Sequence, residues 1–300
     1  MASTLSSLNT VKRGTGAPRP DVSALYTDVL KIGDRSGSMA STRGGSQEGA
    51  VAYMEEHKTT AENLKPSMGA HLEFVSFDTT SLILYSGEAS ELTNDDLLLI
   101  SREMEPRGAT RLFDTVVETL TRQMARIDDK IAAQPELVRE TIAANPGLIK
   151  TSCAIMTDGL DNRSEHTMED CKKLIDIYKE KYGGIAMFIG ANIDAEATAK
   201  NFGIHAGMSL QMGSDRLSSI GAARAVAAAQ SRSISAPHNV SGGLGGGDPP
   251  MPCFTEGERS SSQVYSPAPP LSLLTPPVYS RSLSMGGGLG GGSDDGSGRD

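Results

Sequence analysis

The sequence predicts an α/β protein whose mainly parallel central sheet carries helices on both faces. Three observations predict it. Between residues 21 and 230, short apolar runs alternate with helix-compatible segments, the pattern of strands joined by helical crossovers. One run, Ile185–Ile189 (IAMFI), is apolar throughout, as in a strand buried on both faces. The composition also divides. Residues 231–300 hold 9 of the 15 prolines and 14 of the 33 glycines of the 300-residue chain, leaving ordinary globular content to the rest.

Each element has its own signal. Tyr26–Ile32 is a short apolar-leaning strand before a Gly/Ser turn, although Lys31 and Gly33 interrupt it. Lys31 can snorkel to an edge. Gln47–Lys65 is a charged helix ending before Pro66. His71–Phe77 alternates as strands do and meets Ser81–Ser86 across Asp78-Thr79-Thr80, which predicts a hairpin. Thr93 with Asp96 forms a capping box that opens a helix to about Met104. Leu112–Ala132 is a long helix, and Pro135–Ala144 a shorter one with proline in its first turn. Leu148–Met156 is the next strand. Thr167 with Asp170 is a second capping box, after which Met168, Cys171, Leu174, Ile175 and Tyr178 share one helical face. Beyond Ile185–Ile189 come a helix at Asp194–Phe202, a strand at Met208–Met212 and an Ala-rich helix at Asp215–Ala229.

Residues 1–20 read as a flexible arm, 21–230 as the folded domain and 231–300 as a Gly/Pro/Ser-rich tail. The tail has too little apolar surface to offset the entropy of ordering. It reads as a spacer or as an extended segment that docks on a partner. The chain carries a formal net charge of −9, against general nucleic-acid binding. It has no run of 18 apolar residues, which argues against a membrane span. Residues 1–20 lack the apolar core of a secretory signal. Three cysteines exclude a disulfide scaffold. The expectation is an intracellular protein, with Cys153 and Cys171 as small core residues and Cys253 unpaired in the tail.

The chemistry gathers where strands end. The first strand runs into Asp34-Arg35-Ser36-Gly37-Ser38, a turn that can aim one carboxylate and two hydroxyls to one side. Hard oxygens of mixed charge suit Mg²⁺ or Mn²⁺. Alone, this pattern reads first as an ordinary turn. Arg107-Gly108-Ala109-Thr110 adds a loop hydroxyl, and Met156-Thr157-Asp158-Gly159 adds a second carboxylate at a strand end.

These three segments, in this order, resemble the von Willebrand factor type A (vWA) domain, and more narrowly its metal-ion-dependent adhesion site, over about residues 21–230. The resemblance implies a doubly wound, Rossmann-like fold. It assigns metal ligation to Asp34, Ser36, Ser38, Thr110 and Asp158, with Mg²⁺ (or Mn²⁺ or Ca²⁺) as the ion. The implied partner is a protein offering an Asp or Glu to complete the ion's sphere. Thr157–Asn162, Phe188–Ala195 and Phe202–Ile204 are similar to vWA proteins of bacteria, phages and large viruses.

Around these positions the residues leave alternatives open. Asp161 and Asn162 are either groups behind the ligands or solvated loop. Arg35, Arg107 and Arg111 either steer an acidic partner or balance local carboxylates. Asp78 is expected to accept hydrogen bonds in the hairpin turn. The five histidines show no ligand spacing, and His205 reads as a loop residue. No phosphate loop or dinucleotide fingerprint is present. The first expectation is therefore a metal-dependent binding module with no catalytic residue. A second is an assembly component, such as part of a viral or phage particle, whose arms bind neighbouring copies. A metal-activated hydrolase lacks an evident base.

Overall fold

The structure is a computed structural model that describes residues 25–235 and 253–263. The arm at 1–20 and most of the tail lie outside the described residues. The six strands are β1 (Tyr26–Asp34), β2 (Ala70–Phe77), β3 (Ser81–Glu88), β4 (Ile149–Thr157), β5 (Ile185–Ala191) and β6 (Ser209–Met212). They form one sheet in the order β3-β2-β1-β4-β5-β6. The β2–β3 hairpin is antiparallel and the other pairings are parallel. The helices are α1 (Gly45–Leu64), α2 (Asn94–Glu103), α3 (Leu112–Ala132), α4 (Glu136–Ala144), α5 (Met168–Tyr182), α6 (Ala195–Asn201), α7 (Arg216–Ser235) and α8 (Glu256–Ser261). Both predicted capping boxes are present, at Thr93 with Asp96 and at Thr167 with Asp170.

Strand residues alternate between faces, so β1 sends Asp28, Leu30 and Ile32 to one side and Val29 and Lys31 to the other. The first side is covered by α3, α5 and α6. The Gln123 amide of α3 donates to Asp28 at 2.9 Å, the Tyr178 hydroxyl of α5 pairs with Thr151 at 2.7 Å, and Phe202 stacks on Phe188 at 5.5 Å. Two carboxylates buried on this face, Asp28 and Glu73, are both paired by Arg126, and Glu73 also by Arg122, which keeps their charge tolerable in a dry environment. The second side is covered by α1 and α7, and Gln230 of α7 donates to Ser152 at 3.1 Å. The helices α1 and α7 touch through small residues. A methyl group added to Gly45 would lie 2.7 Å from Ser219 Cβ, and one added to Gly49 would lie 3.1 Å from Ala223 Cβ.

Two expectations are corrected. Lys31 does not reach an edge. β1 lies between β2 and β4, and the Lys31 side chain is buried with its ammonium 4.2 Å from the Tyr53 ring centre and 5.5 Å from that of Phe74. The π-faces replace part of the lost water, and burial still lowers its pKa to about 7. The boundary at residue 230 falls inside α7, which continues to Ser235. Residues 253–263 return to the domain, where Phe254 is buried in the core. Averaging over 70 Gly/Pro/Ser-rich positions concealed this short packed segment.

Candidate metal centre

β1 and β4 are neighbours at the point where the chain's winding reverses, β2 and β3 lying to one side and β5 and β6 to the other. Loops after the two strands diverge there and leave a crevice. The register opposes Gly33 to Met156, which brings Asp34 beside Thr157. Asp34 Oδ1 accepts the Ser36 amide and Oδ2 the Thr157 hydroxyl, both at 2.6 Å. The hydroxyls of Ser36 and Ser38 lie 2.9 Å apart, and Ser38 donates to Asp158 Oδ1 at 2.7 Å. A methyl group on Gly159 would sit 3.7 Å from both Ser38 Oγ and Thr110 Oγ1. The Thr110 hydroxyl therefore faces the same small space as Ser38. The five predicted oxygen-bearing residues come together, with Ser38 on the solvent side and Asp34, Ser36, Thr110 and Asp158 buried.

The electrostatics are unbalanced. Among the described residues no Lys, Arg or His pairs with Asp34 or Asp158. Burial raises the Asp34 pKa to about 6, and burial also raises that of Asp158. The second Asp158 oxygen, Oδ2, is buried with no hydrogen-bond partner. An orphaned carboxylate oxygen costs free energy that a bound cation would recover. Among the described residues no group of three or more His, Cys, Asp or Glu could hold a metal, so this donor set is hydroxyl-rich. Hard, mostly neutral oxygens fit Mg²⁺, Mn²⁺ or Ca²⁺ rather than a soft metal.

The loops carrying these groups are locked from behind. Asn162 donates its amide N–H to the Thr110 carbonyl and accepts the Thr110 N–H on Oδ1, both at 3.0 Å. Asp161 accepts the amides of Leu112 and Phe113 at the start of α3, at 2.9 and 3.3 Å. Both residues thus hold the Thr110 loop. Asp114 makes a third tie, accepting the His166 ring at 2.7 Å and the amides of Glu165 and His166, and its pKa falls to about 2 through these bonds and Arg111 despite burial. Sequence reasoning missed this tie because no short spacing links positions 114 and 166.

The three arginines balance local carboxylates. Arg35 and Arg107 both meet Asp78 and Glu103, and Arg111 meets Asp114 and Glu118. Asp78 also accepts the Thr80 amide at 2.9 Å in the hairpin turn, as expected. Gly37 donates to the Gly108 carbonyl at 3.2 Å. Gly108 has φ +75°, and a side chain there would meet Thr79; glycine lets the Thr110 loop approach. His205 accepts the Gly207 amide at 3.0 Å within its loop. Cys153 and Cys171 are buried and free, and Cys253 is free and exposed.

No protein-family profile matches the sequence, and no curated protein matches it significantly. Solved structures do resemble the fold. A von Willebrand factor type A protein from Catenulispora acidiphila is 15% identical over 69% of this chain and 43% of its own, with a TM-score of 0.42. The vWF domain of a type V pili tip protein from Porphyromonas gingivalis is 12% identical over 72% of this chain and 98% of its own, at 0.45. Proximal thread matrix protein 1 from the mussel byssus, with a zinc-occupied MIDAS motif, is 13% identical over 69% of this chain and 48% of its own, at 0.45. The chain thus spans under half the length of the first and third of these proteins. At such identities the likeness concerns the arrangement of strands and helices, and residue roles rest on the site itself.

Proposed function

We propose that this protein is a metal-dependent protein-interaction module that takes an acidic residue of a partner at the carboxyl edge of its sheet. The observation that carries the reading is the buried, unpartnered Asp158 Oδ2, beside convergent hydroxyls and, among the described residues, with no basic residue to neutralise it. Ser36, Ser38 and Thr110 would supply neutral oxygens and Asp34 and Asp158 the charge. A divalent cation held mainly by hydroxyls keeps residual positive charge and so attracts an outside carboxylate. Asp34 orders the turn by fixing the Ser36 amide and the Thr157 hydroxyl. Asn162 and Asp161 hold Thr110 at its station. The exposed Ser38 marks the side from which a partner enters. Binding, rather than catalysis, is the activity we assign. The test is capture of partners by the full chain with Mg²⁺ and with chelator. Capture should be lost with chelator and in Asp34→Ala; equal capture by Asp34→Ala would overturn the reading.

A further inference from the structure

The candidate metal centre lies at the carboxyl edge of the sheet, and a second concavity opens at the opposite, amino edge. The β6 side is covered by a strap, residues 253–263, whose Arg259 donates to the carbonyls of Ser209 and Gly207 at 3.1 and 3.2 Å. Next to the start of β6, where α5 turns into β5 and α6 leads toward β6, lies a cavity of about 560 Å³. Small-molecule sites have volumes of this order. Its floor is apolar: Ala186, Ile204 and Met208 are buried there, and Ile185 is half-buried beside them. Lys179, Lys200 and His205 complete the wall, and among the described residues the lining includes no Asp or Glu.

The polar groups around this cavity divide by kind. The acceptors are used within the fold. At the end of α5 the Gly183 amide donates to the Lys179 carbonyl at 3.0 Å and the Gly184 amide to that of Tyr178 at 3.4 Å. At the end of α6 the Gly203 amide donates to the Lys200 carbonyl at 2.9 Å and the Ile204 amide to that of Ala199 at 2.8 Å. The Gly203 carbonyl takes the Lys179 ammonium at 2.8 Å, and Asp176 also pairs with that ammonium at 3.2 Å. Helix-end carbonyls carry the negative partial charge that would repel an anion, and here they are already paired. Donors remain. Lys200 is exposed and forms no ion pair among the described residues. His205 accepts the Gly207 amide on Nδ1 at 3.0 Å, so its neutral ring carries the proton on Nε2. On a chain of formal net charge −9, this hollow has an unmatched cation, a spare ring N–H and an apolar floor.

We propose that this hollow binds a small carboxylate with a hydrocarbon body, its charge on Lys200 and His205 and its body on Ile185, Ala186, Ile204 and Met208. Lys200 supplies a charge-assisted hydrogen bond, and the His205 Nε2–H a second. The hydrocarbon leaves water for the apolar floor, which supplies most of the affinity. The charged end fixes the orientation and selects acids over neutral molecules of the same length. The site stands at the opposite edge of the sheet from Asp34 and Asp158, so it works without the metal.

The test is titration of the full chain with octanoate, read from backbone amide chemical shifts by NMR, beside octanol and acetate. Octanol keeps the body without the charge, and acetate keeps the charge without the body. Octanoate should shift the amides of Ile185, Ala186 and residues 204–208 to saturation, and each of the other two should bind at least about tenfold more weakly. Lys200→Ala, a change at an exposed position, should weaken octanoate about tenfold. Ala186→Leu fills the floor and should abolish the shifts while the amides of β1 and β4 keep their positions. Absence of saturable shifts at these amides would overturn the proposal. So would octanol binding as tightly as octanoate, equal binding by the unaltered chain and Lys200→Ala, or binding that is lost with chelator.

Discussion

At the scale of single residues, the informative positions are charged groups in dry places. Lys31 lies under 3% exposed with aromatic rings and, among the described residues, no carboxylate against its ammonium. Its pKa is lowered to about 7 by burial, so the folded state disfavours the charged form. Below pH 7 both states carry the proton and folding bears the full desolvation cost. Between pH 7 and about 10.5 the unfolded chain holds a proton that the folded one lacks, so stability rises with pH. Lys31→Met should stabilise the protein by a few kcal/mol at pH 6, with the gain shrinking steadily toward pH 10.5. Urea denaturation across that range measures it; a gain independent of pH would show that Lys31 is charged in the fold throughout. Lys31 also marks where sequence reading stops. Period-2 alternation gives its face, but nothing in the local sequence says that Tyr53 and Phe74, from other elements, stand ready to receive it.

At the scale of elements, local signals were strong wherever the chemistry is local. Capping boxes placed the starts of α2 and α5, and the apolar run IAMFI placed β5. The three loop segments of the candidate site were legible because the motif itself brings the oxygens together. The ties behind it were legible only in part: Asp161 and Asn162 stood as one of two alternatives and Asp114 was not singled out, because all three act across about 50 positions. The strap did have a local signal, since Thr255 and Glu258 form a third capping box behind Phe254, but it sat within a composition that suggested disorder. Two outcomes belong at this scale. Asp161→Ala removes an acceptor for the first amides of α3 and should cost about 1–2 kcal/mol. It should also weaken Mn²⁺ binding through the Thr110 loop, measurable by calorimetry beside a denaturation curve. Gly45→Ala forces α7 away from α1, since its methyl group would meet Ser219 Cβ and the Arg216 backbone below 3 Å, and should destabilise by about 1–3 kcal/mol in thermal unfolding. A neutral result would mean that the two helices separate easily.

At the scale of the whole molecule, two places on the sheet stand out. Its winding reverses between β1 and β4, and that reversal opens the crevice in which Asp34 and Asp158 lie. Its β6 edge, far along the sheet order, is closed by a segment from near the end of the chain. Arg259→Ala removes the acceptors' partner at Gly207 and Ser209 and should raise amide exchange across residues 209–213 several-fold, while leaving β1 and β4 protected. Exchange that rises evenly over the sheet would instead mean that the strap supports the entire fold.

In the metal centre we propose, Asp34, Ser36, Ser38, Thr110 and Asp158 hold a divalent cation. Calorimetric titration of the full chain with Mn²⁺, beside Asp158→Ala and Thr110→Ala, tests it most directly. One binding event per chain is expected, weakened at least about tenfold in each variant, with the fold intact by circular dichroism. Binding of equal strength in both variants, or none in the unaltered chain, would contradict it.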